Sequence, residues 1–208
     1  MIRILGRANS FNVRKVLWAC DELGLAFRRE DWGRGFRPTT DPEFLALNPI
    51  GLVPAVVDGD VVLRESNAIV RYLCNRYAPD SPLYPADPVR RARVEQWMDW
   101  ANYETSISLR GAFLGGMLNE PPWNHPWFVQ RGREQITKEV GQLEAHFAAG
   151  GPYVAGEAFT VGDIPVGLVV NRWFHLNFER PAFPAVAGYY ERLSERPAYR
   201  AHVRNGFP

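Results

Sequence analysis

Apolar and polar positions follow two different rhythms along this chain, and the rhythm changes near residue 80. Ile2–Leu5 predicts a short apolar strand and Phe27–Glu30 a second. Between them Val13, Val16, Leu17, Cys20 and Leu23 recur at helical spacing, which predicts a helix over Phe11–Leu23 that Gly24 stops. A loop rich in Gly, Arg and Pro covers Trp32–Pro42, and Pro42–Leu47 predicts a brief helical turn. Val53–Val57 and Val61–Leu63 flank Asp58-Gly59, a hairpin-turn pair. The periodicity then turns helical over Ser66–Tyr77. Strands and helices that alternate and end on a hairpin predict a small mixed sheet with helices packed on it.

Pro79, Pro82, Pro85 and Pro88 mark residues 79–88 as a linker between an α/β domain, 1–78, and a second domain, 89–208. Strand signals fade beyond it. Val89 to about Leu118 predicts one long helix, which Gly115-Gly116 weaken. A second starts at Pro126, where Ile136, Val140, Leu143 and Phe147 keep helical spacing, and Gly150-Gly151-Pro152 end it. Thr160-Val161-Gly162-Asp163 reads as a variant capping box, with Phe159 and Ile164 placed as a hydrophobic staple. Pro165 removes an N–H just inside that helix, so a bend or a shifted start is expected. Shorter helices are predicted over Pro184–Ser194 and Pro197–Val203. The second domain is therefore all-α.

Charge narrows the partners. With 24 basic and 23 acidic side chains the net charge is +1, which argues against a nucleic-acid footprint. The one dense basic cluster, Arg90-Arg91-Ala92-Arg93, reads as the solvated first turn of a helix. No apolar run approaches the roughly 18–20 residues of a membrane span, and the opening residues are too short for a signal peptide's apolar region. The expected location is cytoplasmic, with no membrane partner. Cys20 and Cys74 lie far apart within helical patterns and read as buried apolar residues. The four histidines show no ligand spacing, so no metal is expected.

Two segments carry chemistry. Val53 precedes Pro54 and is biased to an extended backbone, so its N–H and C=O can pair with a short peptide. Glu65 and Ser66 stand at the start of the next helix, where a carboxylate can be held. Together they describe a site for a small peptide-like molecule with a free acid. Ser10 and Asn12 open the first helix. Plain capping accounts for Ser10, and so does a second role, presenting polar hydrogens to a thiolate at the helix start.

The order and spacing of these features resemble the cytosolic glutathione transferases, of a bacterial, serine-type, theta- or nu-like kind. The matching residues are Ser10 four before Arg14, Asn48-Pro49-x-Gly51-x-Val53-Pro54, Glu65-Ser66-x-Ala68-Ile69, the proline-rich linker and Thr160-x-x-Asp163. The resemblance implies a thioredoxin-like N-terminal domain that binds glutathione, an all-helical C-terminal domain that binds an electrophile, a homodimer, and a role in detoxification. It implies Ser10 and Asn12 as the groups at the glutathione sulfur, Asn12 within a Ser-x-Asn-x-x-Lys motif. It places Val53, before a cis Pro54, on the cysteinyl backbone, and Glu65 with Ser66 on the γ-glutamyl end. Arg37 is its candidate for the glycyl carboxylate, and Asp99 or Asn102 for a reach across the dimer. Tyr103, Phe113 and Trp123 are candidates for the electrophile pocket, while Trp97 and Trp100 read as core or interface. The implied reaction is attack of glutathione thiolate on an electrophilic small molecule. Glutathione-dependent disulfide reduction without a catalytic cysteine, and a weakly catalytic carrier of glutathione or hydrophobic ligands, are the alternatives.

Overall fold

A computed structural model describes residues 1–206. The described residues form two compact units, 1–84 with 198–206, and 85–197.

The first unit is built on a four-stranded sheet of β1 (Ile2–Leu5), β2 (Phe27–Glu30), β3 (Ala55–Asp58) and β4 (Val61–Arg64). Their order is β2-β1-β3-β4; β1 pairs parallel with β2 and antiparallel with β3, and β3 pairs antiparallel with β4. Side chains alternate across the sheet. Ile2, Ile4 and Val56 face α1 (Phe11–Glu22) and α3 (Ser66–Tyr77), meeting Val13, Val16, Leu17, Cys20, Ile69 and Leu73 in one buried cluster. Leu5 and Ala55 take the other face, with Trp32 and Phe44 of α2 (Pro42–Leu47). Cys20 and Cys74 are free and buried, and burial pushes both thiols up to about 12. The last helix, α8 (Pro197–His202), was expected with the helical domain, but from Ala198 it belongs to this unit. Tyr199 packs on Trp18 at 4.9 Å, His202 bonds Asp21 at 2.7 Å, and Arg14 donates to Asn205 at 3.4 Å.

The second unit holds α4 (Pro88–Leu109), α5 (Pro126–Ala149), α6 (Asp163–His175) and α7 (Pro184–Ser194). Proline begins α4, α5 and α7, where its missing N–H has no helical partner to lose. The expected α-helix to Leu118 instead ends at Leu109 and continues as a π-helical segment, Arg110–Gly115. Its glycines do more than weaken a helix. A Cβ on Gly111 would stand 2.1 Å from the Phe128 carbonyl oxygen, and one on Gly132 2.7 Å from the Gly111 Cα. The two backbones touch there, and no side chain fits between them.

Helix α6 is buried almost all round, through Ile164, Val166, Leu168, Val169, Val170 and Trp173, as an interior helix must be. It starts at Asp163, so Pro165 falls in the first turn and breaks no hydrogen bond. The Asp163 carboxylate reaches back to the Thr160 N–H at 2.8 Å, and the Thr160 hydroxyl donates to it at 3.2 Å. It also accepts from the Val154 N–H at 2.9 Å and the Tyr189 hydroxyl at 3.0 Å. Glu144 of α5 caps α7 from a distance, accepting from the Ala185 and Val186 N–H groups at 3.1 and 2.9 Å.

Candidate glutathione site

Ser10 is the N-cap of α1, in extended backbone geometry, and its C=O accepts the first helical bond from the Arg14 N–H at 2.9 Å. Its side chain makes no capping hydrogen bond. The helix has no acidic residue in its first turn, so its N-terminal N–H groups meet no carboxylate of its own. Capping therefore does not account for this hydroxyl. Arg14 and Lys15, one turn further along, are buried; burial lowers the Arg14 guanidinium to about 10, which leaves it protonated at neutral pH. The helix dipole favours negative charge at the α1 start.

The loop before β3 is braced by Asn48. Its buried amide donates to the Leu52 C=O at 2.6 Å and accepts from the Ile50 N–H at 3.1 Å, while Gly51 turns at φ +68°. This is the local reason for Asn and Gly in the motif. It delivers the chain into a cis Val53–Pro54 bond. Both strand ladders begin at Ala55, so the Val53 backbone lies outside their register. Gly6 lies beside it: a Cβ there would press on Val13 at 2.4 Å and Val53 at 3.1 Å.

Glu65 is the N-cap of α3 and adopts φ +67°, ψ +107°, an uncommon conformation for a residue with a side chain. It makes no side-chain cap, so this helix too presents uncapped N–H groups. Glu65 is exposed and Ser66 is buried. The Ser66 hydroxyl donates to Asn12 Oδ1 at 3.3 Å, which joins the starts of α1 and α3 across 54 residues of sequence. Sequence reading marked Ser66 and Asn12 separately and missed their contact.

Arg37 is engaged within its own loop. It donates to Asp41 at 3.1 and 3.0 Å, pairs with Glu43 at 2.8 Å, and lies over the Trp32 ring at 4.2 Å. The three aromatic candidates for an electrophile pocket part company. Phe113 is buried beneath Arg172 at 3.9 Å, Trp123 meets Phe128 and the Arg110 guanidinium, and Tyr103 lines a groove between α4 and α5. Asp99 and Asn102 are exposed on α4, while Trp97 is half-buried against Trp100 and His146. Among the described residues no group of His, Cys, Asp and Glu could hold a metal ion, and no helix is long and apolar enough to cross a membrane.

Two helix starts without side-chain caps lie beside the bend that precedes a cis-proline, on a thioredoxin-like sheet, and bring together the residues that the sequence singled out. Comparison with known proteins goes further. The model for the glutathione S-transferase N-terminal domain matches residues 5–81, and that for the C-terminal domain residues 128–197. Glutathione S-transferase GstB of Escherichia coli K12 is 38% identical, over 98% of this chain and 98% of its own length. Glutathione S-transferase 3 of Zea mays is 32% identical, over 97% of this chain and 93% of its own. A theta class glutathione S-transferase from the citrus canker pathogen Xanthomonas axonopodis pv. citri, solved with glutathione bound, matches at TM-score 0.91 and 39% identity, over 100% of this chain and 99% of that one. The chain belongs to the glutathione S-transferase family.

Proposed function

We propose that this chain is a glutathione transferase that holds the tripeptide across the starts of α3 and α1 and stabilises its thiolate at Ser10 and Asn12. The Ser66–Asn12 hydrogen bond carries this reading, because it brings the two uncapped helix starts together. The α3 N–H groups and Ser66 take the γ-glutamyl carboxylate, and the exposed Glu65 carboxylate takes the amine. The Val53 backbone aligns the cysteinyl residue. That leaves the sulfur at the α1 start, where the Ser10 hydroxyl and the Asn12 amide donate to it. The thiolate forms a bond to an electrophilic carbon as the leaving group departs. Cys20 and Cys74 take no part, since a buried thiol near 12 is protonated at neutral pH. Arg37 is left outside the site, because its guanidinium is already shared by two carboxylates.

The test is retention on immobilised glutathione together with conjugation of an aryl halide, and both are expected. Retention without turnover of halide, epoxide or disulfide substrates supports a carrier instead. Failure to bind glutathione overturns the proposal. We place the enzyme in the cytoplasm, as a detoxification enzyme, because two free buried cysteines and a thiol co-substrate suit a reducing compartment.

The homodimer is part of this proposal. Tyr103, Ile107, Trp127 and Phe128 are 78, 68, 61 and 36% exposed and line one groove between α4 and α5, with a cavity of about 400 Å³. Its floor is the buried Glu139 carboxyl, held by Ser108 at 2.6 Å and Gln135 at 3.0 Å and raised by burial. Glu104 and Arg131 line the same groove. A face carrying apolar residues and both signs of charge complements itself under a two-fold axis. Ile107→Glu is expected to convert the dimer to a monomer in light-scattering chromatography. A wild-type chain already monomeric at micromolar concentration contradicts the dimer.

A further inference from the structure

Glu139 is a buried carboxyl, 2% exposed, at the floor of the groove between α4 and α5, and no cation pairs with it among the described residues. The Ser108 hydroxyl and the Gln135 amide each bond one of its oxygens, at 2.6 and 3.0 Å. An ionised carboxylate accepts more hydrogen bonds than two, and a buried one without a cation is costly. Glu104 of α4 lines the same groove and adds a second negative charge. The groove's own cation, Arg131, pairs with neither carboxylate: it is exposed and reaches Glu134 at 4.0 Å. We propose that in the homodimer the partner subunit's Arg131 enters this groove and pairs with Glu139 and Glu104, so that each copy supplies the cation the other's buried carboxylate lacks. This rests on the homodimer argued above. Arg131 and Glu139 lie about two turns apart on one face of α5, with Gln135 between them. A two-fold axis near Gln135 runs the two α5 helices antiparallel and sets each Arg131 against the opposite Glu139. The guanidinium is a fork of donors, so one side chain can serve both carboxylates. The apolar residues around the groove exclude water when two copies meet, which strengthens the pair.

Arg131→Gln removes both pairs of the two-fold dimer and is expected to raise the dimer dissociation constant about 100-fold, roughly tenfold for each pair. Arg131→Glu and the double variant Glu104→Lys/Glu139→Gln are each expected to be monomeric alone and to form a heterodimer when mixed. Only the mixture restores opposite charges across both halves of the interface. The measurements are sedimentation equilibrium and light-scattering chromatography, with circular dichroism as a check on folding. A pH series singles out Glu139. Burial and the Glu104 charge raise its carboxyl, while Ser108, Gln135 and Lys138 lower it. A cation across the interface favours the ionised form, so the wild-type dimer should weaken as pH falls through that raised titration. Glu139→Gln should flatten the dependence. A dimer that tightens in acid, or one that Arg131→Gln leaves unmoved, overturns the pairing and leaves the homodimer standing. Charge variants that stay apart on mixing do the same. A wild-type chain that is monomeric overturns the homodimer itself.

Discussion

Ser10→Ala is expected to lower kcat/KM for aryl-halide conjugation at neutral pH by roughly 10- to 100-fold, with little change in glutathione affinity. The magnitude follows from losing one hydrogen bond to an anion, about 1.5–3 kcal/mol, where 1.4 kcal/mol is a factor of ten. Affinity should be spared, because the proposed site grips the tripeptide at Val53, Glu65 and Ser66 and assigns Ser10 to the sulfur. The structure also separates catalysis from stability here. A capping serine would cost about 0.5–2 kcal/mol of stability on replacement, but the Ser10 side chain makes no cap. The variant should therefore melt with the wild type. Its pH–rate profile should move to higher pH and rejoin the wild type where the free thiol ionises unaided. An unmoved profile assigns the thiolate to Asn12 and the α1 backbone.

Asp163→Ala is expected to cost about 4 kcal/mol or more of folding stability, measured by urea unfolding. The carboxylate is fully buried and takes hydrogen bonds from the Val154 and Thr160 N–H groups and the Thr160 and Tyr189 hydroxyls. Alanine leaves four buried donors without it, at about 1–3 kcal/mol for each that finds no water. That is a large share of the roughly 5–15 kcal/mol that holds a domain folded. Burial pushes this carboxyl from 3.8 up to about 6, against the pull of its four donors. Between those values the folded chain binds a proton that the unfolded chain does not, so stability from this group rises as pH falls through the window. Asp163→Asn removes the titration, so its cost should be larger at pH 5 than at pH 7.5, a trend opposite to that of an ion-paired acid.

The hairpin, the helix limits at Ser66 and Tyr77 and the starts at Pro126 and Pro184 were legible in the sequence, because turn residues, caps and prolines act locally. What depended on distant neighbours was not. Gly111 carried no warning that another glycine, Gly132, would press against it, so α4 was expected to run on as one α-helix. The return of Tyr199 to Trp18 likewise depends on a packing partner far away in sequence that no local pattern describes. Ser10 could be read as a cap or as a thiolate donor, and only the geometry of its side chain removes the capping role. Asn12 and Ser66 were each marked, but a sequence separation of 54 hid the bond between them. Arg37 shows the converse: a cation in the right loop for a carboxylate had found two in its own chain.

The decisive measurement is an ultraviolet titration of the thiol of glutathione bound to the wild-type enzyme. Ionisation well below the ~8.5 of a free cysteine thiol, moving back toward that value in Ser10→Ala and further in Ser10→Ala/Asn12→Ala, is the expected result. A bound thiol that titrates like free glutathione, in wild type and variants alike, would contradict thiolate activation at the start of α1.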